Sequence, residues 1–235
     1  MQKQEQIVEL FDQIAPTYDK LNRILSFGVD TSWRVAGIRG VLERMSAQSL
    51  DILDIACGTG DMLGLWTRLC AQFNKELQSL RGIDPSSAML ELAKQKFPQC
   101  EFIKAEAANL PIDNETADII SISYGLRNVI ERQKALSEFF RVLKKGGFLL
   151  ILEFTKREKG GLLKWCRDFY LSRILPKIGK FISKNQVAYE YLPSSIEGFL
   201  SKEELARELE EAGFFVVELK SFSLDISTAF IATKQ

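Results

Sequence analysis

From residue 50 onward the chain alternates short apolar segments with amphipathic ones, and this alternation constrains the fold more than any other feature. The apolar segments, which we predict to be strands, are 50–56, 80–83, 101–104, 117–123 and 148–154. Predicted helices at 61–72, 86–96 and 131–143 lie between most of them. Because strands joined through helices run parallel, the pattern predicts an α/β fold with a doubly wound, mostly parallel sheet.

Both ends of the chain depart from this alternation. The C-terminal part is predicted to begin with a helix that Ser201 caps together with Glu204, three residues on. Two closely spaced strands then follow at 214–220 and 228–233, which indicates an antiparallel hairpin at the sheet edge. We therefore predict one domain, 1–235, made of an N-terminal helical cap (1–46), a ligand-binding core (50–155), a helical insertion (156–198) and the C-terminal helix with its hairpin (199–235).

The composition excludes several classes of function. The chain contains no histidine, which excludes His-ligated metals, Ser-His-Asp triads and an imidazole base, and we predict no metal site. The nearest two cysteines, Cys57 and Cys70, are 13 positions apart, which fits neither a CxxC redox pair nor a zinc site. The 31 basic and 31 acidic residues cancel, so a surface that binds nucleic acid throughout is not expected.

The chain also lacks the usual membrane and export signals. No apolar run approaches the roughly 18 residues that a spanning helix requires. The first twenty residues are polar and contain no apolar region typical of a secretory signal. We therefore expect a cytoplasmic location.

A glycine-containing loop follows the first predicted strand. Gly58 and Gly60 lie between that strand and the next helix, where a backbone without a Cβ can approach a ligand closely. Asp84 ends the second strand, and an acid there can accept hydrogen bonds from ribose hydroxyls. Leu63 stands where a dinucleotide site has its third glycine, and the P-loop pattern is absent. A nucleoside without phosphates, such as S-adenosylmethionine (SAM), suits this loop; the alternative is a plain strand-to-helix turn.

Longer segments carry a resemblance to one family. LDIACGTGD and GIDPSSAMLELAKQK resemble the first two motifs of class I SAM-dependent methyltransferases. SYGLRNV, ALSEFFRVLKKGGFLLILEF and the N-terminal FDQIAPTYDK narrow the resemblance to the UbiE/COQ5 family, over about residues 10–215. Cys57 and Lys145 stand where that family usually has glycine and proline, and Asp30 lies near a position that often holds histidine.

The resemblance implies a fold and a reaction. It implies the Rossmann-like class I fold and transfer of a methyl group from SAM to a ring carbon of a prenylated quinol, in menaquinone or ubiquinone biosynthesis. The sequence leaves open whether the ring is a naphthoquinol or a benzoquinol, and whether the protein is a monomer or a homodimer.

The resemblance also assigns cofactor contacts at the first two motifs. Thr59 and the backbones of Gly58 and Gly60 are expected along the methionine part of SAM. Asp84 is expected to hold the ribose hydroxyls.

Further cofactor contacts are implied after the third and fourth strands. Glu106 and Ala107 are expected beside the adenine, and Ser123 near the transferable methyl. Two alternatives stay open, because Glu106 can equally be a solvated loop acid and Ser123 can equally satisfy local backbone groups.

Three residues are candidates for catalytic contacts with the substrate. Arg127 follows the fourth strand and could stabilise a developing phenolate, while Asn128 could bond the quinol oxygen. Tyr18 belongs to the N-terminal segment that, by the resemblance, closes over the site. The alternatives are a structural ion pair for Arg127 and helix packing for Tyr18. Without histidine, the general base must be a carboxylate, a tyrosine or held water, and we assign none.

The same glycine-containing loop also fits other functions. The chain could methylate another small molecule or RNA, or could bind SAM without catalysis within a quinone-synthesis assembly. An RNA or nucleic-acid substrate is not expected, because Ser121–Asn128 lacks both the aromatic-proline signature of amino-methylating enzymes and a nucleophilic cysteine.

The insertion has the composition of a membrane-contacting segment. Residues 156–184 contain nine basic and two acidic residues, a net +7 in a chain of net zero. Apolar residues such as Trp165 and Phe169 recur between them at roughly helical spacing, which is typical of a helix lying in a lipid headgroup layer. We expect peripheral association with the inner face of the cytoplasmic membrane. The alternative is a helical cap that packs on the sheet and exposes its basic side to water.

Overall fold

The computed structural model describes residues 2–26, 28–156, 191, 194–223 and 225–235. Within these residues one seven-stranded sheet is formed by β1 (Ser49–Ile55), β2 (Glu76–Asp84), β3 (Glu101–Lys104), β4 (Ala117–Ser123), β5 (Leu143–Glu153), β6 (Phe215–Phe222) and β7 (Ser227–Thr233). The strand order is β3-β2-β1-β4-β5-β7-β6. The first five strands are parallel, and β7 runs antiparallel between β5 and the edge strand β6.

Helices cover both faces of this sheet. They are α1 (Gln2–Leu25), α2 (Val29–Leu42), α3 (Asp61–Gln72), α4 (Ser87–Lys96), α5 (Arg132–Val142) and α6 (Lys202–Glu211), with a 3-10 turn at Leu126–Asn128. On one face, Ile38 of α2 and Trp66 of α3 are fully buried against the sheet. On the other face, Phe139 of α5 and Leu205 of α6 belong to the second core cluster. The predicted doubly wound α/β fold is confirmed.

Local signals placed most elements correctly. The bounds predicted for α3, β3 and β4 agree with the structure. The capping box at Ser201 is present, since the Ser201 hydroxyl accepts from the Glu204 N–H and the Glu204 carboxylate accepts from the Ser201 N–H. The antiparallel pairing of the last two strands is also confirmed.

Two strand starts were predicted too late. β5 begins at Leu143, not at residue 148, because Leu143 already pairs with Ala117 before the register shifts at the following lysines and glycines. The Gly146 N–H, at a positive φ of 76°, donates to the Lys234 carbonyl and keeps this irregular segment on the sheet. β2 begins at Glu76, because Glu76 and Leu77 already pair with Ser49 and Leu50 of β1.

The predicted helical insertion lies almost entirely outside the described residues, at 157–190 and 192–193. Among the helices that the structure describes, none is long and apolar enough to cross a membrane.

Candidate active site

The carboxyl ends of β1, β2 and β4 border a cavity that α1 covers. This is the place where doubly wound sheets bind ligands. Its walls are formed by side chains of α1, the loop after β1, the start of α4, the loop after β3 and the turn after β4. Lining residues include Phe11, Tyr18, Gly58, Asp84, Met89, Glu106, Ala107, Ser123 and Asn128.

The loop after β1 is held in a conformation that requires its glycines. Gly58 and Gly60 have φ values of 54° and 91°, in the left-handed region that side chains disfavour. A Cβ on Gly60 would lie 2.7 Å from the ring of Phe97. The Gly60 N–H donates to the Cys57 carbonyl across the turn (2.9 Å). The loop is therefore a tight turn whose backbone stands close to the cavity.

Asp84, at the end of β2, lines the cavity. Its carboxylate is only 7% exposed and accepts from the Gly58 N–H (2.9 Å) and the Ser86 N–H (2.8 Å). Because a carboxylate has about four acceptor positions, those two bonds leave room for two hydroxyl donors. Burial raises the pKa of Asp84 to about 6. The group therefore becomes a strong acceptor only above that pH.

A second buried carboxyl lies beneath the loop. Asp54 accepts from the Ser121 hydroxyl (2.6 Å), and that hydroxyl in turn accepts from the Trp66 indole N–H (2.9 Å). Burial raises the pKa of Asp54 to about 7. A carboxyl with a raised pKa binds its proton more tightly in the folded chain, so its contribution to stability falls as the pH rises from about 4 to about 7.

We expect Asp54→Asn to be more stable than the wild type at pH 8, by about 1–3 kcal/mol, because it removes a buried charge while keeping an acceptor for Ser121. The difference should narrow as the pH falls toward 5. Urea unfolding at both pH values measures it, with the exposed Asp113→Asn as the matched control. If Asp54→Asn is less stable than the wild type at pH 8, the buried charge of Asp54 does not destabilise the folded protein, and this prediction is wrong.

The structure brings most predicted cofactor contacts to the cavity. Gly58, Asp84, Glu106, Ala107 and Ser123 line it, and Glu106 is otherwise solvent-exposed. The Thr59 hydroxyl donates to the Asp19 carboxylate of α1, which also pairs with Lys96. Gly60 packs against Phe97 behind the loop.

Ser123 is engaged by an arginine that sequence reasoning missed. The Ser123 hydroxyl accepts from the Arg34 guanidinium (3.2 Å), which pairs with Asp30 one helical turn earlier in α2. Arg34 also lies over the Tyr124 ring, 5.1 Å from its centroid. The four-residue spacing of Asp30 and Arg34 on a predicted helix was the signal that could have found this pair.

Arg127 is paired with a buried acid. Its guanidinium donates to Glu153 (2.7 Å) and to the Tyr124 carbonyl (2.6 Å), and its side chain is 7% exposed. Glu153 is fully buried and also accepts from the backbone N–H groups of Arg127 and Phe154. An acid inside the apolar run of β5 was the sequence signal for this partner. The ion pair fixes the turn after β4 to the end of β5.

The other two candidate residues do face the cavity. Asn128 lines it and is 8% exposed. Tyr18 lines it from α1, with its ring edge-on to Phe11 at 6.1 Å. Burial raises the pKa of Tyr18, although a side-chain hydrogen bond with Asn22 lowers it in part, so its hydroxyl stays protonated at neutral pH.

Polar contacts hold α1 over the cavity. Gln4 accepts from the Ile130 N–H (3.0 Å), and Asp12 accepts from the Ser86 hydroxyl (2.5 Å) at the start of α4. Arg23 donates to Asp61 at the start of α3 (3.0 Å). These three contacts hold α1 to the turn after β4, to α4 and to α3.

At the level of sequence, a family model and individual relatives point to the same family. The chain matches the ubiE/COQ5 methyltransferase family over residues 1–234. It is 61% identical over 234 residues to the ubiquinone/menaquinone biosynthesis C-methyltransferase UbiE of Campylobacter jejuni, covering 100% of both chains. It is 34% identical over 229 residues to the demethylmenaquinone methyltransferase of Chlorobaculum tepidum, covering 97% of this chain and 92% of that one. The resemblance seen in the motifs is confirmed.

Solved structures share the fold at lower identity. A SAM-dependent methyltransferase from Aquifex aeolicus superposes with a TM-score of 0.59 at 19% identity, covering 85% of this chain and 89% of that one. The cyclase SpnF superposes with a TM-score of 0.67 at 17% identity, covering 97% and 95%. The class I methyltransferase fold is confirmed, and the cyclase shows that this fold alone does not define a reaction.

Proposed function

The chain belongs to the ubiE/COQ5 methyltransferase family, and from this premise we propose that it transfers a methyl group from SAM to a ring carbon of a prenylated quinol in respiratory quinone biosynthesis. The observation that carries the proposal is the full-length match at 61% identity to a UbiE C-methyltransferase. The cavity supports it, because residues suited to a nucleoside and residues suited to a quinol oxygen line the same space.

The cavity fits SAM as the cofactor. Asp84 retains acceptor capacity for two ribose hydroxyls, and the positive φ of Gly58 lets the loop backbone stand close to the ligand. Glu106 and Ala107 form the part of the wall suited to the adenine. When bound, SAM supplies an electrophilic methyl group on a sulfonium.

The residues after β4 are suited to favour the nucleophilic form of the substrate. A quinol ring carbon attacks readily only when a neighbouring hydroxyl has lost its proton, so donors aimed at that oxygen lower the barrier. Asn128 and Tyr18 line the cavity as such donors, and the charge of Arg127 lies behind them, balanced by Glu153. The alignment of ring and methyl is the second contribution of a closed cavity.

Transfer of radiolabel from SAM tests the proposal against its alternatives. Purified protein is incubated with labelled SAM and either reduced demethylquinone in detergent or total RNA. We expect label in the lipid extract alone. Label in the RNA alone, or SAM binding without any transfer, would overturn the proposal in favour of an RNA methyltransferase or a non-catalytic component.

We further propose peripheral association with the inner face of the cytoplasmic membrane, through the basic, apolar segment 156–184. Its net +7 charge suits an anionic leaflet, where each basic residue contributes about 1 kcal/mol. A prenylated quinol resides in the bilayer, so an enzyme acting on it must reach the membrane surface. Only sequence supports this proposal, since the segment lies outside the described residues apart from Lys156.

We expect the protein to float with anionic liposomes at low salt and to be released at high salt. Reversing the charges of Lys164, Arg167 and Lys177 to glutamate should abolish flotation. The matched control reverses Arg68, Lys94 and Lys220, which are exposed and lie outside this segment in the sequence, and it should leave flotation intact. Absence of binding at low salt, or equal loss in both variants, would contradict the proposal.

A further inference from the structure

One short segment contacts both polar residues of the turn after β4. The Tyr191 hydroxyl donates to the Asn128 side-chain oxygen (2.9 Å), and the Ser195 hydroxyl accepts from the Arg127 guanidinium (3.3 Å). The segment is anchored nearby, because Ile196 is 2% exposed and the Ser194 hydroxyl donates to the Tyr191 carbonyl (2.9 Å). The Tyr191 side chain is thus bonded to a residue that lines the candidate active site, and its carbonyl is bonded to Ser194.

The contact with Tyr191 defines which end of the Asn128 amide faces the cavity. A carboxamide has an acceptor oxygen on one side and a donor nitrogen on the other. Since the oxygen accepts from Tyr191, the NH2 group points to the opposite side. Asn128 itself lines the cavity, so its donor end is available to a ligand there.

We propose that Tyr191 is a positioning residue that holds the Asn128 carboxamide with its NH2 group toward the substrate oxygen. This inference rests on the proposed function, in which that oxygen becomes negatively charged. A donor stabilises the charge, whereas a flipped amide would present an oxygen and repel it. The bond from Tyr191 also polarises the amide and strengthens the donor.

Burial keeps the Tyr191 hydroxyl in the protonated form that donates a hydrogen bond to Asn128. Desolvation raises the pKa of its hydroxyl, so the group stays protonated and donating at neutral pH. The nearby charges are Arg127, which lowers that pKa, and Glu153, which raises it. Because those two charges pair with each other, their opposite effects on Tyr191 partly cancel.

Tyr191→Phe tests the inference with little change in shape. Removing a direct oxyanion donor costs about 100- to 1,000-fold in kcat, so loss of a group acting through that donor should cost about 10- to 100-fold. The KM for the quinol and the affinity for SAM should change less than about twofold. The acid limb of the kcat profile should move to higher pH, because a weaker donor leaves the bound quinol harder to ionise. Ser137→Ala, which removes an exposed hydroxyl from α5 that does not line the cavity, should leave kcat and its pH profile unchanged.

A double-mutant cycle identifies Asn128 as the group through which Tyr191 acts. On an Asn128→Ala background, Tyr191→Phe should lower kcat less than about twofold. In 15N-labelled protein, the Asn128 side-chain amide signal, assigned by its loss in Asn128→Ala, should shift in Tyr191→Phe and not in Ser137→Ala. An unchanged kcat, an equal fall in both backgrounds or an unshifted amide signal would overturn the inference.

Different measurements test the proposed function and the role of Tyr191. If the wild-type protein does not methylate a quinol, the proposed function is wrong, and the amide signal still decides whether Tyr191 orients Asn128.

Discussion

Replacing Asp84 with alanine should raise the dissociation constant for SAM by at least about 100-fold, because several charged hydrogen bonds are lost together. The carboxylate would no longer accept from ribose hydroxyls. The N–H groups of Gly58 and Ser86 would also lose their partner, which loosens the loop after β1. Isothermal titration calorimetry measures the effect, with the exposed Asp113→Ala as the control.

The pKa of Asp84 adds a pH dependence that checks the same role. Because burial raises that pKa to about 6, the acceptor is fully charged above about pH 7 and is lost progressively below 6. Wild-type affinity for SAM should therefore be flat from pH 7 to 8 and should weaken as the pH falls below 6. Asp84→Asn, which does not titrate, should lose this dependence. Unchanged SAM binding in Asp84→Ala would contradict the assignment of the ribose site.

Replacing Arg127 with alanine should have two separable effects. It leaves the fully buried Glu153 without its cation, which costs about 3–5 kcal/mol of stability. It also removes the positive charge behind Asn128, so turnover should fall by at least about 100-fold while SAM still binds. Thermal unfolding and methyl transfer measured on the same preparation report both effects.

The double variant Arg127→Ala, Glu153→Gln separates stability from turnover. Glutamine keeps an acceptor for the backbone N–H groups of Arg127 and Phe154 and removes the unpaired charge. We expect most of the lost stability to return and turnover to stay low. If turnover recovers with stability, Arg127 serves only as a structural ion pair, and its predicted effect on the phenolate is wrong.

Most strands and helices could be predicted from the sequence, because the signals that define them lie in neighbouring residues. An apolar run such as β4 and a cap such as Ser86 or Ser201 are encoded by neighbouring residues. The start of β5 was missed because its lysines and glycines are typical of a helix end. Only pairing with β4 and with the segment after β7 keeps those residues on the sheet.

The side-chain partners in the site could be predicted less well. Arg34 and Ser123 are 89 positions apart, and Arg127 and Glu153 are 26 apart, so no local pattern links either pair. Thr59 and Asp19 of α1, which share a hydrogen bond, are 40 positions apart, so that partner was also not encoded locally. The sequence indicated which residue types gather at the strand ends, and the three-dimensional structure determined which of them bond to one another.

We expect the methyl group to be transferred to a ring carbon of a quinol. The most direct test is to incubate the purified protein with 13C-methyl SAM and a reduced demethylnaphthoquinol in detergent, and to examine the lipid extract by NMR. With the wild type we expect a labelled methyl carbon bonded to a ring carbon, and with Asp84→Ala we expect none. A label bonded to oxygen, or a lipid extract without label while SAM binds, would contradict it.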